Sequence, residues 1–118
     1  MKAKTIELVP WKWQGVLVAG GTIEQFSALV KRDTGAEIDA SPYSAGRAYV
    51  AYGMPWYLWV ESIDDVASLA HEAFHIVSGV LQARGLKLSR KSEEAYTYTL
   101  SHIMTHAVNR KGWERVRV

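Results

Sequence analysis

The stretch that decides the fold is His71-Glu72-Ala73-Phe74-His75, an HExxH pattern inside an apolar run from Val66 to Leu81. On an α-helix, residues i and i+4 lie about one turn apart on the same face, so His71 and His75 can direct two imidazoles at one metal ion. Glu72 stands one step round the helix, where its carboxylate can reach a water on that ion and take its proton. Val66, Ala70, Ala73, Val77 and Val80 form one apolar stripe, while Leu69, Phe74, Ile76 and Leu81 cover other directions. The pattern predicts a helix that is apolar nearly all round and buried. Two histidines and a glutamate are costly there unless something pairs with them, and a metal would. The competing account is a core helix whose histidines hydrogen-bond to neighbouring backbone.

A tetrahedral zinc that keeps its fourth position for a reactive water needs a third protein ligand. Eighteen residues separate His75 from Glu94, in the run Ser92-Glu93-Glu94-Ala95-Tyr96. Acidic residues in the first turn of a helix behind a Ser N-cap are also favoured by the helix dipole alone. That account is taken for Glu93 and the ligand account for Glu94.

HExxH followed by Glu at this interval resembles the gluzincins, and Glu94-Ala95 resembles the glutamate and small residue that open the second active-site helix of thermolysin-like families. The chain is similar to a minimal gluzincin metallopeptidase, of the small zincin-like kind found in phages and prophages. The likeness covers residues 46 to 108 and is specific at His71, Glu72, His75 and Glu94. It implies an α+β, minimal zincin-like fold: a small twisted, mainly antiparallel sheet packed on the HExxH helix and on a second helix carrying the Glu ligand. It implies Zn²⁺ on His71, His75 and Glu94, Glu72 as general base, and a peptide or protein substrate. One position departs from the pattern. Where thermolysin-like enzymes place an aspartate one turn after the third ligand, this chain has Tyr98, whose phenol can accept a hydrogen bond from imidazole but brings no charge. Tyr98 is also the first candidate for stabilising an oxyanion, ahead of Tyr49 and Arg47.

Before the motif, residues 5 to 9 alternate as a strand does, and Val16 to Ala19 is a short apolar run closed by Gly20 and Gly21. Trp11 and Trp13 read equally well as the start of a second strand or as a turn. Thr22 and Gln25 form a capping box for a helix carrying Ile23, Phe26, Leu29 and Val30, which Asp33, Thr34 and Gly35 stop. Residues 36 to 46 are a loop, with Pro42, Ser44 and Gly46 as breakers. Residues 47 to 52 and 56 to 61 read as strands joined by Gly53-Met54-Pro55. The family resemblance makes the first of them the sheet edge along which a peptide lies antiparallel, through Arg47, Tyr49, Val50 and Ala51. A plain aromatic-rich hairpin in the core explains the same residues, and both uses stay open.

The metal helix starts behind Asp64 or Asp65 and stops at Gly85; a second runs from Ser92 to about Asn109. On the second, Tyr96, Leu100, Ile103 and Ala107 form the packing stripe, while Glu94, Tyr98, Ser101 and Thr105 share a polar face. His102 and His106 also stand at i and i+4. His102, however, lies about 12 Å along the helix from Glu94 and about 80° round it, so one ion cannot use both. They read as partly exposed residues or as hydrogen-bonding residues of the core. Gly112 to Val118 is a terminal strand or a tail.

The 118 residues suit one domain, 1–118, with ordinary apolar and charged content and a formal charge of +2. Absence of cysteine removes disulfide frameworks and thiolate zinc sites. No apolar run approaches a membrane span, and Glu7, Pro10 and Lys12 interrupt any leader-like start, so the expectation is a cytoplasmic protein without a membrane partner. The basic residues of the last third, such as Arg84, Lys87, Arg110 and Lys111, lie along loops and the tail without a nucleic-acid motif and read as a solvated face. Two functional classes therefore compete. One is a zinc peptidase. The other is a non-enzymatic binding or assembly module on the same fold, as in a phage particle or against a host factor, for which the general base Glu72 has no use.

Overall fold

The computed structural model describes residues 1–41 and 44–117, so Pro42, read above as a breaker, and Val118 lie outside it. In chain order the elements are β1 (Lys2–Leu8), β2 (Trp13–Ala19), α1 (Ile23–Thr34), β3 (Gly46–Tyr49), β4 (Trp56–Val60), α2 (Val66–Ala83), α3 (Glu93–Val108) and β5 (Glu114–Arg115). The strands form one mixed sheet in the order β3-β4-β2-β1-β5. Every pairing is antiparallel except β2 with β4, which run parallel because α1 and β3 intervene. The fold is α+β with a mainly antiparallel sheet.

Helices cover both faces of this sheet, and β4 shows the consequence. Its five residues are all buried: Trp56, Leu58 and Val60 pack toward α2 and α3, while Tyr57 and Trp59 pack toward α1. Alternation vanishes because each face has its own apolar cover. Phe26 of α1 stacks on Trp59 with centroids 6.0 Å apart. Capping sets α1 as expected: Thr22 Oγ1 accepts from Gln25 N and Gln25 Oε1 accepts from Thr22 N. Gly35, at φ 79°, closes the helix by donating to the Lys31 carbonyl.

Asp65 caps α2, its carboxylate accepting from Ser68 N at 3.1 Å. Ser92 precedes α3 but does not cap it, contrary to expectation. Its hydroxyl accepts from Ser89 N and donates to the Lys87 carbonyl, so it braces the connection between the helices instead. The packing stripe of α3 is Tyr96, Thr99, Ile103 and Ala107, with Leu100 half-buried; Glu94, Tyr98, Ser101 and Thr105 are exposed as read from the sequence. Lys4 of β1, 8% exposed, donates Nζ to the carbonyls of His106 and Asn109 at 2.9 and 3.3 Å, tying the sheet to the negative end of α3. The hairpin differs from its expected bounds. β3 ends at Tyr49, and Val50 to Pro55 form the connection, closed by Met54 N donating to the Ala51 carbonyl. No helix among the described residues is long and apolar enough to cross a membrane.

Candidate metal centre

His71 and His75 occupy successive turns of α2, their rings edge to face with centroids 4.8 Å apart and their Nε2 atoms 3.2 Å apart. Two nitrogens held at roughly 2.0–2.1 Å by one tetrahedral zinc are about 3.3 Å apart, so the pair fits such an ion with little adjustment. Glu72 is 8% exposed, and its Oε1 lies 3.8 Å from His71 Nε2. The donor atoms of His71, Glu72 and His75 all lie within 4.8 Å of one another, the one such group of three among the described residues.

The expectation that α2 is buried all round fails. The His71 side chain is 70% exposed and His75 is exposed, while Glu72 is buried beside Ala73 and Ile76. The sheet and α3 cover two sides of the helix and leave the histidine side open. The case for a metal therefore rests on donor geometry rather than on desolvation.

The open side is a cleft of about 610 Å³ between α2 and the edge strand β3. Gly46, Ala48 and Val50 line one wall; His71, Glu72, His75 and Gly79 line the other. Two glycines let these walls approach. A Cβ on Gly46 would come 2.7 Å from Glu72 Cγ, and one on Gly79 would come 3.0 Å from a Val50 methyl. A side chain at either position would have to displace the Glu72 or Val50 side chain facing it.

Register fixes which backbone groups of β3 are free. Glu61 N donates to the Ala45 carbonyl at 3.0 Å, and β3 pairs with β4 through Gly46 with Val60 and Ala48 with Leu58. In an antiparallel ladder alternate residues turn both backbone groups toward the partner. Ala45, Arg47 and Tyr49 therefore bond β4, and Gly46 and Ala48 turn their N–H and C=O outward at the free edge. The Ala48 side chain faces α2, and at Gly46 only a hydrogen does.

Of the residues expected to hold a substrate, Arg47 and Val50 line the cleft, Tyr49 packs on Tyr57 with centroids 6.4 Å apart in the α1-side cluster, and Ala51 sits in the turn. Arg47 Nη2 donates to Ser44 Oγ at 2.8 Å. Glu94 is exposed in the first turn of α3 and lies outside the His71, Glu72, His75 group; Tyr98 is 61% exposed. Gly46 and Ala48 were missed from sequence, although a glycine directly before a strand-like run is a signal of close backbone approach.

His102 and His106 meet edge to face with centroids 4.6 Å apart, and His102 Nε2 is 3.0 Å from the Glu7 carbonyl, a hydrogen-bonding distance. Burial, then neighbouring His102 and the Lys4 ammonium, hold the His106 pKa below its ordinary value.

No family model, curated protein or solved structure matches this chain.

Proposed function

We propose that the chain is a zinc-dependent peptidase of gluzincin type whose substrate lies in the cleft between β3 and α2. The observation that carries this reading is one wall with two Nε2 atoms 3.2 Å apart beside a buried carboxylate, facing a strand edge. A zinc held there would acidify a bound water and polarise a carbonyl. Glu72 would be the group that accepts a proton from such a water and returns it to the leaving amine. Its Oε1, 3.8 Å from His71 Nε2, is farther away than the about 3.3 Å between two ligands of one tetrahedral zinc, which suits a base rather than a ligand. Gly46 and Ala48 present the N–H and C=O groups that an extended peptide needs to align a scissile bond.

Glu94 is the proposed third ligand and Tyr98 the proposed oxyanion donor. Phe74 packs on Tyr96 with centroids 6.5 Å apart, which brings the first turns of α3 alongside α2, while Glu94, about 200° round the helix from Tyr96, is exposed to solvent and would have to turn toward the histidines to complete the set. Glu94 makes no ion pair among the described residues, so its carboxylate is available. The phage likeness and a cytoplasmic setting belong to the same proposal.

One observation favours the second reading, a binding or assembly module: Glu94 lies outside the gathered donors. Glu72→Gln separates the two. It keeps shape and removes the base, so zinc binding and fold should persist while cleavage of a proteome-derived peptide library falls by about 10²–10⁴-fold. An identical cleavage map from both proteins would remove the peptidase reading.

A further inference from the structure

Beyond Val50 and Gly79 the two walls of the cleft end differently from how they begin. The turn after β3 carries Tyr52, 79% exposed, and the C-terminus of α2 carries Arg84. Between them lies a second pocket of about 320 Å³ lined by Lys12, Trp13, Tyr52, Pro55 and Arg84 among others. Trp13 is its floor. Arg84 lies over the Trp13 ring with its guanidinium carbon 4.8 Å from the centroid, and Tyr52 meets the same ring edge-on at 6.2 Å. Trp13 Nε1 donates to the Met54 carbonyl and the Arg84 Nε and Nη2 donate to the Trp11 carbonyl, so floor and guanidinium are both fixed.

The lining holds two cations, Lys12 and Arg84, and no carboxylate. Neither cation has an ion-pair partner among the described residues. Lys12 is also the one described non-glycine residue at positive φ, 54°, a conformation that costs about 1 kcal/mol or more for a side chain with a Cβ.

We infer that this pocket receives an acidic side chain of the extended peptide held along β3, which makes the substrate class peptides with a glutamate or aspartate set back from the bond in the cleft. The inference rests on the peptidase reading for its groove, and the helix gives the setback. His75 to Arg84 is about 13 Å at helix rise. That is about four residues of extended chain. Antiparallel pairing on β3, the more stable arrangement, runs the peptide from the Tyr52 end toward Ser44, so the acidic residue falls on the amino side of the scissile bond.

The test uses full-length Glu72→Gln protein, to keep peptides intact, and nine-residue alanine-serine peptides carrying one glutamate or, as the control, one glutamine. Backbone, indole and guanidinium resonances are followed by NMR. The glutamate peptide should shift the Trp13 indole and Arg84 Nε signals together with the amides of Gly46 and Ala48, and should bind about tenfold or more tighter than its glutamine counterpart. Arg84→Met, which keeps the stem over Trp13, and Lys12→Asn, which suits the left-handed backbone, should each erase that preference. Equal binding of both peptides would overturn the inference. So would pocket shifts without edge shifts, or the same pocket shifts from inorganic phosphate or a short oligonucleotide at equal concentration. The two readings fail separately. Glutamate-selective binding with no cleavage by the zinc-loaded wild type would leave the pocket standing and remove the peptidase; cleavage indifferent to a glutamate at any position would do the reverse.

Discussion

Gly46 and Glu72 touch across the cleft so closely that a Cβ on the glycine would lie 2.7 Å from Glu72 Cγ and 3.1 Å from the Trp59 carbonyl oxygen. The backbone oxygen cannot yield, so the carboxylate side chain must. Gly46→Ala should therefore displace Glu72 from its buried position, lower any cleavage more than tenfold and destabilise the fold by roughly 1–3 kcal/mol, as overpacking does. Zinc affinity should change little, because His71 and His75 are untouched. Peptide turnover, urea unfolding and zinc titration on one sample check all three.

Metal content follows from the histidine pair. The protein purified without chelator should carry close to one zinc per chain, and His71→Ala or His75→Ala should abolish it. Glu94→Ala should weaken zinc binding strongly, whereas Glu93→Ala should cost only about 0.3–1 kcal/mol of helix-dipole stabilisation. A titration in which Glu93 matters more than Glu94 would show that the third ligand has been misassigned; negligible zinc uptake by folded wild type would end both zinc-based readings.

The strand edge gives a paired comparison. Ala48 points its N–H outward, so Ala48→Pro should leave the sheet bonded and impair peptide binding, since proline is tolerated where the missing donor faces solvent. Tyr49→Pro removes a donor bonded to β4 and should destabilise the protein itself. Thermal melts and peptide affinity for the two variants should move in opposite order. Protection of residues 56–60 by a bound peptide, in place of 46–48, would contradict this edge.

His106 sets a pH dependence. Its folded pKa is lowered, first by burial and then by His102 on the same helix and Lys4 on β1. The unfolded chain thus binds the proton more readily than the folded one. Its contribution is fully present above the unfolded value of about 6.5 and is lost as pH falls from there through the lower folded value. His106→Gln should flatten that part of the stability curve. Unfolding midpoints of the two proteins between pH 7.5 and 5, at fixed ionic strength, read the difference; parallel curves would remove His106 as the cause.

The chain's local order was legible in its residues because helical spacing and caps need only neighbours. His71 and His75 face one way whatever surrounds them, since i and i+4 are fixed by the helix itself, and Thr22 with Gln25 needed only each other. The polar face of α3 through Glu94 and Tyr98 was likewise a matter of periodicity. Pairing between distant segments was not. The parallel register of β2 on β4 set β4 inside the sheet and left β3 as its edge. The 45 to 61 pairing then decided that Gly46 and Ala48, rather than Arg47 and Tyr49, offer free backbone groups. Tertiary packing also left the histidines at an open surface while burying Glu72, and drew Arg84, Lys12 and Tyr52 around one tryptophan. These are choices among long-range contacts of similar local cost, and they are settled only when the whole core closes, because a one-residue slip in a strand exchanges its two faces without altering any local preference.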